Sequence, residues 1–136
     1  MTILVDLNVV LDVVQQREPH YAASAALITR VIQRHVKALL PAHAITTLHY
    51  LVGKHQNAQR ANETIDWLLR YFDVASVGWD EILRARSLQW PDFEDAVVAA
   101  AAESAYCTHI ITRNLRDFAH SPVSAITPEE FLAAND

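Results

Sequence analysis

The sequence predicts an α/β fold, with a mostly parallel central sheet of four to five strands covered by helices on both faces as a three-layer α/β/α sandwich. Three observations carry this. Short apolar runs alternate with helix-patterned segments along the whole chain, the signature of βαβ units. The 136 residues are 51% hydrophobic and 20% charged, a globular balance. At roughly 150 residues per domain they make a single domain over 1–136 with a sizeable core.

The first strand is Ile3-Leu4-Val5, ending in Asp6. Val9, Val10, Val13 and Val14 then recur at helical spacing until Glu18-Pro19 breaks the pattern. A second helix is expected over 19–35, with Ala23, Ala26, Leu27 and Val31 on one face. Residues 36–40 form the next strand, and Pro41 suits the first turn of a helix running to about Lys54. Asn57 or Asn62 starts another helix with Ile65, Leu68, Leu69 and Phe72 on its buried side. A strand at 73–77, a helix over 80–88 and an alanine-rich helix opened by Asp92 follow. The strand at 109–112 and a short one at 124–127 complete the sheet, before a terminal helix begun by Thr127-Pro128-Glu129-Glu130.

Eleven basic against sixteen acidic residues give a net charge of −5, which excludes binding nucleic acid by bulk charge alone. Only two glycines occur, Gly53 and Gly78, so glycine-rich nucleotide cradles are excluded. A lone Cys107 forms neither an internal disulfide nor a CxxC zinc pair and suits a reducing cytoplasm. The start MTILVDLN lacks a basic leader, and the longest uncharged stretch, 38–53, holds Pro41, His43 and His49. A cytoplasmic protein with no membrane span is expected.

In a parallel sheet, sites form beyond the carboxyl ends of the strands. Asp6 follows the first strand, Asn114 and Asp117 follow the fourth, and Asp92-Phe93-Glu94-Asp95 opens the alanine-rich helix. Three acidic clusters entering one sheet edge make an oxygen-only site for a hard cation, Mg²⁺ or Mn²⁺. Such a site suits phosphodiester hydrolysis, because a cation polarises a phosphoryl oxygen and activates water between fixed carboxylates. Each acid also has a plainer reading. Asp92 with Asp95 three residues on fits a helix N-cap, Asp6 or Asn8 fits another, and Asn114 and Asp117 fit an Asx turn. Asp92 can cap while Asp95 binds metal.

Val5-Asp6-Leu7-Asn8-Val9-Val10-Leu11-Asp12 resembles the opening of PIN-domain ribonucleases. The run from Asp92 to Ala101 is similar to that family's acid-bearing helix, and Ile110-Ile111-Thr112-Arg113-Asn114-Leu115-Arg116-Asp117-Phe118 to its late strand and acid. The three motifs occur in order over nearly the whole chain. The resemblance implies Mg²⁺ or Mn²⁺ held by acids, RNA hydrolysis, and a VapC-like toxin that is inhibited by a cognate antitoxin and commonly dimeric. It implies Asp6, Asp95 and Asp117 as metal ligands, Asn114 where an Asp is common, and Asp92 as an additional ligand. One expected acid is missing: the family's Glu after the second strand has no counterpart, since no acid occurs from Pro41 to Asn62. Thr47 is the nearest stand-in; its hydroxyl could position water but carries no charge. Asp92 or Glu94 could compensate.

His43, His49 and His55 are spaced by six, which turns successive rings about 240° apart on a helix and excludes a shared zinc face. His49 lies nearest the missing Glu. Cys107 with His109 reads as strand packing rather than a nucleophile and its base. Lys54, Arg60, Arg113 and Arg116 are candidates for RNA phosphates, with solvated surface roles as the default. Tyr50, Trp67, Tyr71, Phe72, Trp79 and Trp90 are candidates to stack bases or form a dimer surface, with core packing as the reading for most.

The first functional reading is a metal-dependent ribonuclease toxin. The alternative is a PIN-like binding or interaction module disarmed by its incomplete acid set. A receiver-like phosphoacceptor at Asp6 fits worse, because Leu7-Asn8 supplies no second Asp two residues on.

Overall fold

The computed structural model describes residues 1–135. Its strands are β1 (Thr2–Val5), β2 (Lys37–Pro41), β3 (Asp73–Ala75), β4 (His109–Ile111) and β5 (Ala125–Ile126). Its helices are α1 (Leu7–Val14), α2 (Tyr21–Ile32), α3 (Ala42–His55), α4 (Ala58–Tyr71), α5 (Trp79–Leu88), α6 (Phe93–Ser104) and α7 (Pro128–Ala134), with a 3-10 helix at Leu115–Phe118. The sheet has the order β3-β2-β1-β4-β5, and every pairing is parallel. The expected α/β/α architecture therefore holds, with five strands.

Side chains on a strand alternate between faces, and the two cores follow that alternation. Ile3, Val5, Leu40 and Ile111 pack beneath α1, α2, α3, α4 and α7, with Val9, Leu27, Leu48, Leu68 and Phe131. Leu4, Leu39 and Ile110 face the opposite layer, where α6 supplies Val98, Ala99, Ala101 and Ala102. Alanines let α6 lie close on the sheet. Ala99 is fully buried, so Ala99→Leu should cost about 1–3 kcal/mol by overpacking, read as a lower urea midpoint at unchanged slope.

Several expected boundaries shift. The second helix begins at Tyr21 rather than Pro19 and ends at Ile32 rather than His35. At its end, Arg34 takes a left-handed φ of 63°. The His35 and Arg34 N–H groups then donate to the carbonyls of Arg30 and Val31. That is a Schellman motif built without glycine. Gln16 and Tyr106 close α1 and α6 in the same way, at φ 51° and 57°. The third strand is shorter than expected, the fifth α-helix starts one residue earlier, and the 3-10 helix was not anticipated. Tyr50 and Trp79 are 63% and 79% exposed, so these two aromatics are not core.

The chain moves outward from β1 to β2 to β3, then returns to β4 on the other side of β1. Between β1 and β4 the strand order reverses, and the crevice beyond the carboxyl ends of those two strands is the natural site.

Candidate functional site

Asp6 sits at that reversal. Its N–H donates to the Ile111 carbonyl at 3.0 Å, and its Oδ2 accepts from the Thr112 hydroxyl at 2.9 Å. The first residue beyond β1 and the first beyond β4 are thereby locked together. Asp6 is buried, and desolvation, opposed by the Thr112 hydrogen bond and a backbone one at Leu7, raises its pKa.

Asp92 caps α6, its Oδ1 accepting from the Asp95 N–H at 3.1 Å. The capping reading of Asp92 is therefore correct, and it aims Asp95 into the crevice from the helix's first turn. Asp95 is pushed up to about 7, first by desolvation, then by the charges of Asp92, Asp6 and Asp117. These four carboxylates come from three separate segments, and each of the other three disfavours ionisation of Asp95. Asp117 is exposed on the 3-10 helix. Asn114 precedes that helix as its capping residue, but its side chain makes no capping bond; its N–H donates to the Thr112 hydroxyl at 3.1 Å.

An acid whose proton is held to about pH 7 by desolvation and then by neighbouring acids has a consequence for stability. The unfolded chain ionises Asp95 near its ordinary value, whereas the folded chain keeps the proton to about 7. Raising pH from 4 to 7 therefore favours unfolding, and stability is lost across that window. Because Asp95 is partly exposed, the loss should be about 1 kcal/mol rather than the full linkage value. Asp95→Asn should remove it, shown by a smaller drop in Tm between pH 5 and 8 in chelator.

His43, in the first turn of α3, also reaches this crevice. Its buried Nδ1 has no hydrogen-bond partner. Burial lowers its pKa, opposed by the charges of Glu94 and Asp6, so the ring is neutral at pH 7. The histidine that faces the acids is thus His43, not His49, whose Nε2 pairs with Asn62 Oδ1 at 2.8 Å on the surface. Thr47 lies one turn on from His43 on the same face of α3, and its hydroxyl donates to the His43 carbonyl at 3.3 Å.

Of the four basic candidates, the structure brings one to the crevice with its charge free; Arg60, on α4, pairs with Glu63 at 3.5 Å. Lys54 stands near the far end of α3, about 16 Å along the axis from His43, beside the Tyr50 ring. Arg113 turns inward, with Nε 2.9 Å from Oδ2 of the wholly buried Asp12. The contact is ionic rather than a directed hydrogen bond, since Arg113 Nε and Asp12 Oδ1 both lack an aligned partner. Asp12 Oδ2 also accepts from Ser24 at 3.0 Å. This triad ties α1, α2 and the segment carrying Asn114, and sequence reasoning missed it. Arg116 is exposed, and no side-chain hydrogen bond or ion pair of it occurs among the described residues. Burial pushes the Cys107 thiol up to about 11, which removes it as a nucleophile.

The family model of the PIN domain matches residues 2–116. The chain belongs to the PIN-domain family. Ribonuclease VapC1 of Aquifex aeolicus is 24% identical over 134 residues, 95% of this chain and 92% of that protein. The VapBC-1 structure from nontypeable Haemophilus influenzae superposes with a TM-score of 0.72 at 14% identity, covering 95% of this chain and 99% of that one. A toxin–antitoxin complex from Klebsiella pneumoniae gives 0.70 at 20% identity, over 93% and 97%.

The donor set of this PIN domain fits a hard divalent cation by its chemistry: oxygen donors only, mutually repelling, with Asp95 most affected. Among the described residues, no three Asp, Glu, His or Cys side chains are already drawn together as a ready coordination cluster. The carboxylates share one field without forming a closed cage. No helix among the described residues is long and apolar enough to cross a membrane.

Proposed function

We propose that this PIN domain is a divalent-cation-dependent endoribonuclease and the toxin of a toxin–antitoxin pair. The observation that carries the reading is the electrostatic convergence of Asp6, Asp92 and Asp117 on Asp95 at the strand-order reversal. A group of anions that hinder one another's ionisation is a group that a cation stabilises. A related protein named a ribonuclease and structural neighbours that are toxin–antitoxin complexes support the choice of reaction and of a protein antitoxin as partner. The same reading includes a homodimer and a cytoplasmic setting.

Asp6, Asp95 and Asp117 would hold Mg²⁺ or Mn²⁺, with Asp92 as an additional ligand. When bound, the cation supplies charge to a phosphoryl oxygen and lowers the pKa of water. The chain's own part is positioning. Thr112 holds Asp6 at one orientation, the Asp92 cap fixes the first turn that bears Asp95, and Asn114 adds a neutral amide beside Asp117. Where the expected Glu is absent, Thr47 and His43 share one face of α3. The His43 ring lies within the field of Glu94 and Asp6, and burial favours its neutral form. Arg116 is the cation available to an RNA phosphate, whereas Arg113 is committed to Asp12.

Purified protein, freed of any antitoxin, should cleave total RNA with millimolar Mg²⁺ or Mn²⁺ and stop in chelator. Cation-independent cleavage, or none from folded protein, would refute this reading.

A further inference from the structure

A cavity of about 190 Å³ opens beside the acidic crevice, between the segment before α6 and the 3-10 helix after β4. Trp90 and Asp92 line it on one side, and Arg116, Asp117 and His120 on the other. Asp92 and Asp117 are also two of the three carboxylates that raise Asp95. The cavity and the proposed cation site therefore share walls, and a ligand in one abuts a phosphate in the other.

The cavity is smaller than the roughly 300–1,000 Å³ of pockets that enclose drug-sized ligands. It suits one flat ring rather than a folded peptide segment. Trp90 is partly buried and packs edge-on against Phe118, with ring centroids 5.9 Å apart, so its indole is held before any ligand arrives. An aromatic wall fixed in this way stacks a base with little ordering cost, and any of the four bases offers a suitable face. Arg116 supplies the positive charge that the surrounding acids lack.

We propose that this cavity is a nucleotide subsite of the ribonuclease. It takes one unstacked base of single-stranded RNA against Trp90, with that nucleotide's phosphate on Arg116 and the scissile phosphate at Asp95 and Asp117. The assignment rests on the ribonuclease reading and adds to it a base-binding position at Trp90. Duplex RNA keeps its bases stacked and cannot offer one without unpairing.

The test uses a short single-stranded RNA carrying one 2-aminopurine, with the full-length protein as wild type, Trp90→Leu, Trp90→Phe and Arg116→Met. Binding to wild type should quench the probe. Trp90→Leu should abolish the quench and lower kcat/KM about tenfold, mainly through KM, and Trp90→Phe should restore part of both. Arg116→Met, at an exposed side chain free of ion pairs, should weaken binding several-fold and flatten its salt dependence while Mn²⁺ binding persists. Quench and KM at wild-type values in folded Trp90→Leu and Arg116→Met would overturn the subsite while leaving the nuclease intact. Trp90-dependent quenching by a protein that cleaves no RNA would keep the subsite and sink the nuclease. If Trp90→Leu weakens only antitoxin binding, the cavity belongs to that partner and the proposal fails.

Discussion

Asp6→Asn should reduce RNA cleavage by about a hundredfold or more while leaving the fold intact. Loss of even an outer-sphere partner of a metal ligand typically costs 10–100-fold, and Asp6 is proposed as a direct ligand. The amide keeps the shape and can still accept from the Thr112 hydroxyl, the bond that ties β1 to β4. It also removes a buried charge whose ionisation desolvation disfavours. The change therefore separates chemistry from stability: Tm should hold or rise as turnover collapses. Asp6→Asn with wild-type cleavage would show that the first strand's carboxylate takes no part in the reaction.

Arg113→Met should be the most destabilising single change near the site, by about 3–5 kcal/mol, because it strands Asp12 as a buried charge without its cation. Ser24 would remain as a hydrogen-bond donor to that carboxylate, and one hydroxyl does not offset a full charge. The double change Asp12→Leu with Arg113→Met should recover most of the loss, since replacing both partners with apolar groups removes the desolvation penalty along with the attraction. Urea unfolding of the three variants and wild type closes the cycle. A cost below about 1 kcal/mol for Arg113→Met would mean a surface-type ion pair, and would return Arg113 to the phosphate-binding role expected from sequence.

The strands were legible because each apolar run is short and ends in a polar or turn-forming residue, and the order of those runs was enough to place Asp6, Asp95 and Asp117 at one edge. Helix ends were less legible. Glycine is the usual signal for a left-handed closing residue, and here Gln16, Arg34, Gln89 and Tyr106 fill that place. The 3-10 helix at Leu115–Phe118 is a single turn, too short for any periodicity. Asp12 did carry a signal, an acid within the Val9, Val10, Val13 stripe, which implies a buried charge in need of a cation. Its partner Arg113 lies far along the chain, and one sequence cannot pair them. In the sequence His43 is one of three histidines spaced by six. Its position directly after the second strand, at the carboxyl edge, was the informative feature.

The most direct test of the central claim is calorimetric titration of Mn²⁺ into wild type and Asp95→Ala at pH 7.5, with RNA cleavage followed on the same samples. Wild type should bind Mn²⁺ saturably, Asp95→Ala should lose that binding, and cation-dependent cleavage should disappear with it. Folded wild type that takes up no Mn²⁺ at millimolar concentration would contradict the claim, and the convergence of acids on Asp95 would then be no cation site.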